Sequence, residues 1–108
     1  MRLPVCLRPW GAVLVAGALA LPAVAQDAKA LHLRSLAATC ANCHGTQGRA
    51  VDGASVPGLA GMPASYIADQ MRAFKAGTRP ATVMHQLAKG YSDAQIDAVA
   101  GYFAAQKK

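Results

Sequence analysis

An all-α fold with long connecting loops is the class predicted for this 108-residue chain. Three observations predict it. Apolar residues recur at helical spacing in three stretches, and no alternating β-branched run is long enough to make a strand. Between the helical stretches the chain is rich in glycine and proline.

The first helix is expected over residues 28–40, "AKALHLRSLAATC", with Asp27 as N-cap. Leu33, Leu36, Ala37 and Cys40 fall at i, i+3, i+4 and i+7, so one apolar stripe leads into a cysteine pair. Residues 45–61, "GTQGRAVDGASVPGLAG", hold five glycines and a proline and read as a wrapping loop. Pro63 suits the first turn of a second helix that stops at Gly77, with Ile67, Met71 and Phe74 on its buried face. A second loop, "TRPATVMHQLAKGY", has room for one helical turn. The third helix starts after Ser92, where "SDAQ" has capping-box spacing, and runs to about Gln106. Ile96, Val99, Ala100 and Phe103 share one side of it.

The N-terminal residues read differently. "MRLPVCLRPW" is basic, Gly11 to Val24 is an uncharged apolar run, and "AVA" ends at Ala25. Residues 1–25 are therefore expected to be a signal peptide cut after Ala25, carrying Cys6 away with it. Fourteen uncharged residues fall short of the ~20 that span a bilayer, so no membrane insertion is expected after cleavage. Residues 26–108 then form one small exported domain, placed in the periplasm. It carries nine Lys and Arg against five Asp, a net charge of +4. Without a dense basic stripe this charge argues against nucleic acid and for an acidic protein partner. Three helices and two long loops make a thin core for a domain of this size, which calls for a staple or a bound group.

The chemistry concentrates in "TCANCHG", residues 39–45. A structural zinc site needs four ligands, and residues 26–108 offer two cysteines and three scattered histidines. A thioredoxin-like pair needs a strand–helix setting. Covalent haem attachment needs two thiols about one helical turn apart, followed by an imidazole for the iron, which Cys40, Cys43 and His44 supply. Export agrees, because bacterial haem attachment takes place outside the cytoplasm. A Cys40–Cys43 disulfide is the bland alternative; it closes a two-residue loop, gains little and leaves His44 unexplained. A second axial ligand has three methionine candidates. Met71 shares the stripe of Ile67 and Phe74 and reads as core. Met62 lies 18 residues after His44 and abuts Pro63, so its reach around the ring is tight. Met84, 40 residues after His44 and in the second loop, is the favoured ligand, with His85 or an open position as alternatives. His85 otherwise reads as a surface residue near the haem rim, and His32 as exposed.

Residues 31–104, above all "RPATVMHQLAKGYSDAQI", resemble a class I cytochrome c, and within that class the haem subunit of the flavocytochrome c sulfide dehydrogenases. The resemblance implies a small all-α fold wrapped around one covalent haem c, with the methionine matching Met84 as distal ligand. It implies that the Pro57 carbonyl accepts a hydrogen bond from the His44 imidazole, and that Gly101, before Tyr102 and Phe103, allows close backbone approach where the terminal helices cross. It also implies a redox partner, a flavoprotein dehydrogenase subunit, with the cytochrome as a non-catalytic electron carrier. This chain has one haem motif where some relatives have two. Lys75 and Arg79 stand where a propionate partner or a solvated charge is expected, and Tyr66 either flanks the haem or lies on the second helix. The rival from another class is a haem enzyme or sensor with an open sixth position, such as a peroxidase or a gas-binding protein.

Overall fold

The computed structural model describes residues 21–108. All but the last few residues of the expected signal peptide lie outside them. Helix α1 runs Leu21–Ala38, a short α2 spans Ala41–His44, α3 is Ala64–Ala76, α4 is Met84–Leu87 and α5 is Asp93–Ala104. Two 3-10 turns, Thr46–Gly48 and Ala88–Gly90, follow α2 and α4. Among the described residues there is no strand. No described helix is long and apolar enough to cross a membrane.

Helix α1 begins earlier than the expected start at residue 28, and Asp27 lies inside it rather than capping it. The residues before Asp27 are mostly alanine, leucine and valine, and none of them stops a helix running back toward Leu21. It also ends earlier. Cys40 caps a separate turn of helix, so the chain changes direction within the motif itself. Helix α3 starts after Pro63 and stops at the left-handed Gly77, as its flanking residues predict. Helix α5 opens on a complete capping box: Gln95 N–H donates to Ser92 Oγ at 3.2 Å, and Ser92 N–H donates to Gln95 Oε1 at 2.9 Å.

Helices α1, α3 and α5 enclose one cluster containing Ala37, Ile67, Met71, Ala88, Ile96, Val99 and Phe103. Among the described residues, Phe103 and Ile96 are the largest side chains sealed from solvent. Of the ten buried apolar residues described, five are alanines, so the helices pack closely but enclose little apolar mass. That agrees with the thin core expected from the sequence.

The close backbone approach expected at Gly101 is made elsewhere. Gly101 is exposed, and a Cβ there meets nothing within 4 Å. At Gly48 (φ +78°) a Cβ would sit 2.8 Å from Phe103 Cδ1 and 2.9 Å from Ala60 N. The Gly48 carbonyl accepts from Leu59 and Ala60, and Phe103 O accepts from Gly61 N–H. The 45–61 loop is thus stitched onto the end of α5 at Gly48, where only glycine fits. Within α5 the Tyr102 and Phe103 rings meet edge to face, with centroids 5.2 Å apart.

Candidate functional site

Cys40, Cys43 and His44 are set by a single turn. Helix α2 is held by His44 N–H to Cys40 O at 3.0 Å, and Gly45 N–H closes it onto Ala41 O. The turn leaves Cys43 exposed and Cys40 half-buried against the core, and both are free thiols. Burial pushes the Cys40 thiol above its ordinary range, only partly offset by the Thr39 and Tyr91 hydroxyls. His44 is buried, with 8% of its surface exposed.

The His44 ring is fixed in orientation. Nδ1 lies 2.7 Å from the Pro57 carbonyl oxygen. A carbonyl only accepts, so Nδ1 carries the proton and Nε2 presents a free lone pair. The rest of Pro57 is exposed, so what the site uses is its backbone. The 45–61 loop carries that carbonyl back to the ring and turns sharply at Gly45 (φ 85°, ψ 160°) to do so.

Met84 stands at the first position of α4, half-buried against the same core cluster that Cys40 packs on. Met71 is buried in that core, and Met62 packs on its edge. His85 departs from the surface position expected of it: it is half-buried, and its Nδ1 is enclosed with no hydrogen-bond partner. Lys75 pairs with Asp93 at 2.9 Å. Arg79 stacks 4.6 Å from the Phe74 ring centroid and donates to Gln70. Both cations therefore have protein partners. Tyr66 is largely exposed on α3, and His32 is exposed on α1. A cleft of about 430 Å³ opens beside Cys43 and Arg49 but touches neither His44 nor Met84, so it is not where the ligand-bearing elements meet.

Among the described residues no three His, Cys, Asp or Glu side chains come together in a group that could hold a metal ion. The donor set does fit a haem: two thiols one turn apart, an imidazole with Nε2 free, and an orphaned buried nitrogen at His85 beside Met84.

The model of the family described as "Cytochrome c" matches residues 34–107. The chain belongs to the cytochrome c family. Its fold is the small all-α class I cytochrome, and its cofactor is a covalently bound haem c with iron. Among similar proteins are the thiosulfate dehydrogenase electron acceptors of Thiomonas intermedia (45% identical, over 66% of this chain and 33% of the relative) and Stutzerimonas stutzeri (46% identical, over 60% and 31%). Another is the cytochrome subunit of sulfide dehydrogenase of Chlorobaculum tepidum, 40% identical over 63% of this chain and 60% of that protein. The matches thus span about a third of the first two relatives and three-fifths of the third. Cytochromes c are a family of electron-carrying proteins.

Two partners escaped the sequence reading. Thr39 Oγ1 and Tyr91 OH lie 2.6 Å apart across 52 positions of sequence. Hydroxyl residues are too common for either one to predict the other.

Proposed function

We propose that this cytochrome carries single electrons in the periplasm through a haem attached at Cys40 and Cys43, with His44 and Met84 as axial ligands. The observation that carries the reading is the 2.7 Å bond from His44 Nδ1–H to the Pro57 carbonyl. It leaves Nε2 as the only lone pair the ring offers to a metal, and it holds the ring in one orientation. Haem, when bound, supplies reversible one-electron chemistry, and a thioether ligand raises its potential. The chain's own work is to orient, enclose and hold. Helix α2 presents the thiols, the 45–61 loop locks the imidazole, and α4 offers Met84 from a different element.

Export rests on the basic and apolar residues 1–25 and the small residues at Ala23 and Ala25. A cut after Ala25 would remove the first five residues of α1, Leu21 to Ala25. The partner is a redox protein, a flavoprotein dehydrogenase subunit acting on a reduced sulfur compound. Support comes from relatives named as an electron acceptor of thiosulfate dehydrogenase and as the cytochrome subunit of sulfide dehydrogenase.

The ligand reading is tested by the visible spectrum of the ferric holoprotein. Methionine ligation gives a weak far-red band, and Met84→Ala is expected to abolish it while haem stays attached in a denaturing gel. A high-spin wild-type spectrum would instead point to an open sixth position. Partner identity is tested by co-purification from the native organism, with a flavoprotein expected in the eluate.

A further inference from the structure

The Thr39–Tyr91 hydroxyl pair links the two halves of the site. Thr39 directly precedes Cys40, and its Oγ1 donates to the Leu36 carbonyl at 2.8 Å. A threonine hydroxyl has one proton, so that bond commits it. The 2.6 Å contact therefore runs the other way, with the Tyr91 phenol donating to Thr39 Oγ1. Tyr91 lies seven residues after Met84, directly behind the Ala88–Gly90 turn and ahead of the Ser92 cap. Between Met84 and Tyr91 the chain packs on α3 through the fully buried Ala88, while Leu87, Lys89 and Gly90 are exposed. Among the described residues, the Tyr91 hydroxyl makes the hydrogen-bonding link from residues 84–91 to residues 21–44, to Thr39 Oγ1 with the Cys40 thiol beside it.

We propose that Tyr91 is a positioning residue: its O–H straps the Met84-bearing segment to the Cys40 side and so sets how readily an outside ligand displaces the Met84 thioether. The proposal rests on Met84 being the distal ligand. Thr39 is exposed and Tyr91 half-buried, so the bond belongs at the weak end of the range for hydrogen bonds, equivalent to about a threefold change in an equilibrium constant.

The test is an imidazole titration of the ferric holoprotein, followed by loss of the far-red methionine band. Tyr91→Phe keeps the ring and removes the proton, and it is expected to raise imidazole affinity about threefold. Thr39→Val is expected to do the same, and the double variant no more than either. Should Tyr91→Phe fail to mature, Thr39→Val alone carries the measurement. Ser92→Ala, which breaks the adjacent capping box without touching the strap, is expected to leave the affinity unchanged. Unaltered affinity in Tyr91→Phe, additivity in the double variant, or an equal rise in Ser92→Ala would each overturn the strap. A wild-type protein without the methionine band would sink the Met84 reading instead. Amide exchange then decides the strap by itself: residues 85–91 exchange about threefold faster in Tyr91→Phe if it is real, and at the wild-type rate if it is not.

Discussion

His44 shows how much one backbone atom decides. Its ring nitrogen is specified by a proline carbonyl thirteen residues away, so the loop that returns the carbonyl matters as much as the histidine. Gly45 is the tightest point of that return. Its backbone lies near the region reserved for glycine, and an added Cβ would stand 1.8 Å from the Arg49 carbonyl oxygen. Gly45→Ala is therefore expected to cost about 3 kcal/mol in holoprotein stability, read by thermal or denaturant melting. Pro57→Ala keeps the carbonyl and is expected to cost much less, and the difference between the two separates backbone geometry from side-chain chemistry. The motif marks His44 as the candidate ligand; its tautomer depends on Pro57, which spacing does not select and which only the family resemblance implied.

At the scale of elements, the capping box and the Lys75–Asp93 pair both secure the start of α5. Ser92→Ala is expected to lower stability by about 1 kcal/mol, measured by equilibrium unfolding. Lys75 holds the Asp93 carboxyl below its ordinary value, first through their hydrogen bond and then through charge. A carboxyl lowered in the folded state adds stability above its unfolded value, and that contribution is lost as pH falls through the lowered one. Acid therefore weakens the α3–α5 clasp below about pH 4. Lys75→Gln is expected to flatten that part of the melting-temperature profile while leaving the neutral plateau nearly level, since the pair is solvent-exposed. The ends of α3 and the start of α5 are legible from Pro63, Gly77 and "SDAQ", because caps are local. The start of α1 is not legible, because Asp27 makes an acceptable cap and an equally tolerable interior residue.

The core of the described residues holds little apolar mass, since half of its buried apolar residues are alanine. A covalently held porphyrin supplies what the helices lack, so attachment and folding are coupled. The Cys40→Ser, Cys43→Ser double variant is expected to lose cooperative unfolding, checked by calorimetry and by circular dichroism at the aromatic bands. Residues 26–108 carry a net charge of +4, which favours encounter with an acidic partner. Electron exchange with such a partner is expected to slow several-fold as ionic strength rises to about 0.15 M, while exchange with a neutral one stays level, measured by stopped flow.

The sequence alone determined the class of fold and the C-x-x-C-H motif that points to haem, because periodicity, caps and that motif act within one or two helical turns. The tertiary structure decided what depends on distant segments meeting. It set the Pro57 carbonyl 2.7 Å from His44 Nδ1, the bond that the family resemblance implied, enclosed His85 Nδ1, moved the close backbone approach from Gly101 to Gly48 and joined Tyr91 to Thr39. Such contacts are set by how loops close over a core, so neither periodicity nor spacing in the chain selects them.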